Sequence, residues 1–173
     1  MSFLVVLGID PGYAIVGWGV ISFNGVNYAP LGFGAVTTDA GVNFNLRLEH
    51  IYDELDLIIK QAKPDAMAIE KLYFQNNQKT AINVAQARGV ILLAAQKNNV
   101  PVFEYTPLQV KMAVTGYGQA KKPQIMEMTR RLLKLKEVPK PDDTADALAM
   151  AITHTQAAGT NLKAMIFKRN QQQ

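Results

Sequence analysis

Residues 3–9 (Phe-Leu-Val-Val-Leu-Gly-Ile) form an apolar run of strand length that ends at Asp10, immediately before Pro11-Gly12. A strand apolar at successive positions is covered on both faces, which predicts a central place in a sheet. Pro-Gly then turns the chain. Residues 14–23 read as a second strand, Asn24-Gly25 as a hairpin turn, and a third strand runs from about Val26 to Thr37. An antiparallel meander is the expected opening. From Phe44 the apolar positions Leu48, Ile51, Leu55, Ile58, Ile59 and Ala62 recur at helical spacing until Lys63-Pro64-Asp65 stops them.

The pattern then changes to strand, helix, strand. Residues 66–70 make a fourth strand, 78–97 an Ala-, Val- and Leu-rich helix, and 100–105 a fifth strand. Strands joined this way are expected to lie parallel through a right-handed crossover. Thr106-Pro107 opens a short helix, Pro123–Leu135 carries another, and a last helix runs from Asp142 to about Ala158. After Gly159 the chain turns polar and ends Asn170-Gln171-Gln172-Gln173, which reads as a frayed tail. The expected organisation is therefore one domain over residues 1–158 and a flexible polar tail over 159–173, with no repeat or linker between.

At 173 residues and 49% hydrophobic content the chain can bury one substantial core. It has no cysteine, which excludes disulfides and thiolate zinc sites. The start lacks the basic region of a signal peptide, and no apolar run reaches membrane-spanning length, so a soluble cytoplasmic protein with no membrane partner is expected. The net charge of +4 is modest, but it is unevenly spread. Residues 1–106 hold seven Lys/Arg against nine Asp/Glu, whereas residues 107–140 hold eight against two, Glu127 and Glu137. A solvated helix face can look like this; so can a surface that holds a polyanion.

Four carboxylates give the basic segment a context. Asp10 and Glu70 each close an apolar strand-length run, and Asp143 and Asp146 are spaced to share one helix face. An ionised group at a buried strand end carries a desolvation cost, and converging carboxylates repel one another unless a cation neutralises them. Hard divalent cations prefer oxygen donors, so Mg2+ is the expected occupant, with Mn2+ as a substitute. Taken singly, Asp10 also suits a turn before Pro-Gly, Glu70 an exposed strand end, and Asp142 and Asp143 a helix start. Phosphodiester hydrolysis needs an activated water and a stabilised leaving oxygen on opposite sides of phosphorus. Two metal ions bound by Asp10, Glu70, Asp143 and Asp146 would supply both, with Asp10 bridging and Lys122 aiding the transition state.

Three antiparallel strands, a helix, a strand, a helix, a strand and C-terminal helices, with acids ending strands one and four, resemble the α/β ribonuclease H-like fold. That fold is a five-stranded mixed sheet with helices on both faces. Gly8-Ile9-Asp10-Pro11-Gly12, Ala68-Ile69-Glu70, Gln86-Ala87-Arg88-Gly89-Val90, Val102-Phe103-Glu104-Tyr105 and the run Asp143–His154 together resemble the bacterial RuvC Holliday junction resolvases. The resemblance covers about residues 4–156. It implies a homodimeric endonuclease of DNA recombination and repair that nicks two opposed strands of a four-way junction symmetrically, and that works with the RuvA and RuvB branch-migration proteins. By motif position it makes Asp10, Glu70, Asp143 and Asp146 the metal-binding catalytic acids. Lys111 and Lys122 match basic positions used against DNA, with Lys121 beside them, and Tyr73-Phe74 falls where an aromatic approaches the junction centre. Lys71 departs from the family, which often carries an uncharged or acidic residue there. Asp146 stands where some members have His, making the metal site all carboxylate.

Other functions share parts of this pattern. Gly-Ile-Asp-Pro-Gly also resembles the phosphate loop of actin-like ATPases, but those place ATP between two such domains. A nuclease for other branched DNA, or a non-catalytic junction-binding protein, would keep the same fold; the full set of acids argues against the second. His154 and His50 read as packing or surface residues. Gly116–Lys121 lacks a Gly-Lys-Ser/Thr ending and reads as a flexible basic loop facing DNA.

Overall fold

The computed structural model describes residues 3–71 and 78–170, with side chains described for 3–71 and 80–159. Tyr73 and Phe74 lie outside the described residues. Strands β1 (Leu4–Asp10), β2 (Ile15–Phe23), β3 (Tyr28–Thr37), β4 (Ala66–Glu70) and β5 (Val102–Tyr105) form one sheet in the order β3-β2-β1-β4-β5. β1 is antiparallel to β2 and parallel to β4, and β4 is parallel to β5. The apolar first strand is thus central, as its two-sided pattern predicts.

Alternation along β1 feeds two cores. Leu7 and Ile9 face one side with Ile51, Leu55 and Ile59 of α1 (Phe44–Ala62) and Ala87, Ile91 and Ala94 of α2 (Gln78–Lys97). Val6 faces the other with Leu148, Ala151 and Ile152 of α5 (Asp142–Asn170), beside α3 (Pro107–Thr115) and α4 (Lys122–Leu132). These are the helices on both faces that the fold reading requires. α1 begins at Asn43, whose side chain accepts from the Asn45 N–H, and ends where Lys63 turns left-handed at φ 46°. α3 opens with a capping box between Thr106 and Gln109.

Two helix ends differ from expectation. α4 stops at Leu132, short of Leu135, because Lys134 adopts φ 54° and the chain closes in a Schellman motif. The Leu135 N–H donates to the Arg130 carbonyl and the Lys134 N–H to that of Arg131. α5 passes the expected end near Ala158 and continues through Asn170. Gly159 costs a helix about 1 kcal/mol relative to Ala, and the Leu, Lys, Ala and Met residues that follow are helix formers with no proline among them.

α5 reaches the sheet through glycines. A Cβ on Gly8 would lie 2.8 Å from the Ala151 nitrogen and closer still to the Ala147 carbonyl, and one on Gly17 would fall inside contact distance of the Asp143 carbonyl. The bare backbone at these positions lets the helix lie on β1 and β2 with its first turn against the end of β1.

Candidate active site

Asp10 is the last residue of β1 and Glu70 the last of β4, neighbours across the parallel pair, so both carboxyls leave the same end of the sheet. α5 begins over that end. Its first turn is held by Thr144, a fully buried residue whose hydroxyl donates to the Gly34 carbonyl of β3 at 3.0 Å. Thr144 sits between Asp143 and Asp146, so this bond and the Gly17 contact set the rotation at which those acids face β1.

The resulting cleft, about 470 Å³, is lined by Asp10, Glu70 and Asp146, by Lys111, Gln119, Lys121 and Lys122, and by apolar residues that include Val110, Ile125 and Met150. Asp143 stands beside it, near enough for its charge to act on Asp10 and Asp146. All four sequence-identified acids are therefore brought together, and so are the three lysines.

Burial pushes the Asp10 carboxyl up to about 8, and the negative charges of Asp146, Asp143 and Glu70 add to the effect, with only Lys122 opposing. Burial likewise raises Glu70 and Asp146 above the usual carboxylate range. Lys122 is the internal counter-charge. Its Nζ lies 3.0 Å from Asp146 Oδ2 and 3.5 Å from Asp142 Oδ2, and the Asp146 bond holds its ammonium above the ordinary lysine value. Asp142 thus does more than begin the helix.

Whether this site suits a metal turns on its donors. Among the described residues no three Asp, Glu, His or Cys side chains stand in a ready coordinating group, and Asp146 is paired with Lys122. The donor set itself fits a hard divalent cation: it is all oxygen, half-buried, and carries more negative charge than one lysine offsets. His154 takes no part. It is buried two turns beyond Asp146 on α5, with Nδ1 2.8 Å from the Tyr105 hydroxyl and its ring against Phe103.

The basic segment of residues 107–140 separates into three groups. Lys111, Lys121 and Lys122 line the cleft. Arg130 and Arg131 are both bound to Glu127 at 2.8 and 2.7 Å, which holds that carboxyl down at about 2. Lys134, Lys136 and Lys140 lie on the loop that leads into α5. The Gly116–Lys121 loop is packed rather than a free strap: Ala120 is buried, and the Thr115 hydroxyl donates to the Tyr117 carbonyl. The sequence reading missed Gln119 in the cleft, and it missed Thr144 and Gly8 as determinants of where α5 sits. A glycine inside an otherwise apolar strand was the available signal for Gly8; Thr144 carried none.

Known proteins give this geometry a family. The family model for the crossover junction endodeoxyribonuclease RuvC matches residues 6–154. The RuvC of Brevibacillus brevis is 56% identical over 151 residues, covering 87% of this chain and 91% of that protein. The RuvC of Fusobacterium nucleatum is 53% identical over 157 residues, covering 91% and 83%. The structure of T. thermophilus RuvC in complex with a Holliday junction substrate superposes with a TM-score of 0.88 at 36% identity, covering 91% of this chain and 96% of that one. The matched span takes in both acidic strand ends, the cleft lysines and the first half of α5, and the chain belongs to the RuvC family of crossover junction endodeoxyribonucleases.

Proposed function

We propose that this chain is a Mg2+-dependent endonuclease that resolves four-way DNA junctions by nicking two opposed strands during recombination and repair. The observation that carries the reading is one cleft lined together by Asp10, Glu70 and Asp146 and by Lys111, Lys121 and Lys122, in a chain of this family. Cations in a cleft hold a phosphodiester; carboxylates beside them hold what hydrolyses it.

Asp10, Glu70, Asp143 and Asp146 would be the metal-binding residues, with Asp10 central because its strand is central. Mg2+ held there, two ions per site with Mn2+ as a substitute, would supply Lewis acidity toward the phosphoryl group, the attacking water and the leaving oxygen. The chain's own groups do the rest. Lys111 and Lys121 bind and orient the backbone. Lys122, whose Nζ lies 3.0 Å from Asp146, would stabilise negative charge developing on the phosphoryl oxygens. Tyr73 and Phe74, which follow Glu70-Lys71-Leu72, are proposed to stack on bases at the crossover.

A two-fold substrate cut twice suits a homodimer. Support comes from α2, which exposes Ile82 and Leu93 either side of Gly89, over which a Cβ would meet nothing. A helix face of that kind suits close approach by a second copy. Residues 1–158 would form the nuclease unit, with 159–173 outside it. RuvA and RuvB as partners and the cytoplasm as its location follow from the family reading. No described helix is long and apolar enough to cross a membrane.

Synthetic four-way junctions, forks and linear duplexes, each incubated with Mg2+, Mn2+ or EDTA, test the reading. Paired symmetric nicks confined to the four-way junction and lost in EDTA are expected. Equal cleavage of forks would favour a nuclease for branched DNA in general, and binding without cleavage would leave a junction-binding protein.

A further inference from the structure

A second hollow, about 450 Å³, lies between Phe33 of β3 and the loop Leu135–Lys140. Phe33 is 40% exposed although it sits in a strand. Lys136 and Lys140 line it and are exposed, Lys134 is exposed just before the loop, and among the described residues none of the three has an ion-pair partner. The arginines just before them differ, being bound to Glu127. Glu137 is the one acid in this loop.

The loop is anchored at several points. Leu135 closes the α4 Schellman motif, packs on the inner core and has its carbonyl held by Arg130 at 2.9 Å; Pro139 is buried; and Thr144, just beyond, is bonded to Gly34, the neighbour of Phe33. Cations on an anchored loop lose less freedom on contacting a partner than cations on a free one. The hollow also adjoins the catalytic cleft across the start of α5. Lys140 is two residues before Asp142, and Asp142 Oδ2 lies 3.5 Å from Lys122 Nζ.

We infer that this hollow is a second contact surface for the DNA backbone, engaged by the strand that leaves the cleft past Lys122. Lys136 and Lys140 bind phosphates there, and Phe33 packs on the adjoining sugar or base. The inference rests on the junction-nuclease reading, because it takes the cleft as the place where the strand is cut.

The test compares the full-length protein with Lys136→Gln/Lys140→Gln, with Lys136→Glu/Lys140→Glu and with Phe33→Ala. As a control, Lys63→Gln/Lys97→Gln removes the same charge at the opposite end of the sheet, where α1 and α2 finish. Binding to a synthetic four-way junction is measured against KCl concentration in EDTA, with cleavage of the same junction in Mg2+ run alongside. The Gln pair should lower the salt slope by about two units and the control pair by none. The Glu pair should weaken binding further at every salt concentration. Phe33→Ala should weaken binding several-fold at an unchanged slope. Trimming the junction arms should bring the parent toward the Gln pair. If the parent cuts the junction but the Gln and Glu pairs keep its slope and affinity, the inference is overturned and the nuclease reading stands. If the parent neither binds nor cuts the junction, the nuclease reading itself fails and takes the inference with it.

Discussion

Replacing Asp10 with Asn should destabilise catalysis and stabilise the fold, and the second effect can be worked from the structure. The Asp10 carboxyl is pushed up to about 8 by burial and by three neighbouring carboxylates, whereas an unfolded chain gives it about 3.9. At pH values between those two, the folded state holds a proton that the unfolded state has lost. Stability therefore falls as pH rises through this window; the contribution is absent below about 3.9 and levels off above about 8. Each unit within the window costs about 1.4 kcal/mol, so the penalty is about 1–2 kcal/mol at pH 5 and about 4 kcal/mol at pH 7. Asn is nearly isosteric and carries no such penalty. The advantage of Asp10→Asn should accordingly grow by up to about 3 kcal/mol between pH 5 and pH 7, a large part of the 5–15 kcal/mol typical of a domain. Urea denaturation in EDTA, followed by circular dichroism of parent and variant at both pH values, measures it; the raised Glu70 and Asp146 are common to both proteins and largely cancel. Saturating Mg2+ should narrow the gap, because it stabilises only the state that binds it. A parent-to-variant difference that is the same at pH 5 and pH 7 would refute the reasoning.

Other expectations are independent of that one. Glu70→Gln and Asp146→Asn should abolish Mg2+-dependent nicking while leaving junction binding intact or tighter, since a negative charge near phosphate is removed; retained cleavage would reject the metal assignment. Lys111→Ala and Lys121→Ala should each lower the salt slope of junction binding by about one unit, measured by titration in EDTA. Thr144→Val removes the bond from a fully buried hydroxyl position to the half-buried Gly34 carbonyl, so it should cost roughly 1–3 kcal/mol and reduce the cleavage rate at saturating junction. Thr144→Ser should restore both, which a purely volumetric role for the residue would not produce. Gly8→Ala places a methyl into the Ala147 carbonyl and should destabilise by about 1–3 kcal/mol or more while misplacing Asp143 and Asp146, seen as lost Mg2+ protection in thermal melts. Phe74→Ala should lower cleavage of intact junctions more than of pre-nicked ones at an unchanged gel-filtration volume; a shift to monomer would assign the residue to the dimer interface instead.

Much of this protein is legible along the chain because its determinants are local. The unbroken apolar run of β1 demands cover on both faces, so β1 is central, and Asp10 falls at its end because Pro11-Gly12 must turn there. Glu70 ends the apolar run Ala66–Ile69, and the three-residue spacing of Asp143 and Asp146 places them on one helical face whatever that helix packs against. The acids, their grouping and the family they mark were thus readable as strand period, helix period and motif. Relations between distant segments were not. The rotation of α5 depends on Gly8 and Gly17 yielding space and on a hydroxyl meeting a carbonyl 110 residues earlier in the chain. The basic stretch looked uniform, yet packing gave three lysines to the cleft, two arginines to Glu127, and Lys136 and Lys140 to a second hollow, because α4 ends one turn early at a left-handed lysine. The pairing of Lys122 with Asp146 and the raised proton affinity of Asp10 arise only when burial and charges from three elements converge, and electrostatic energy depends on those distances and not on position in the chain.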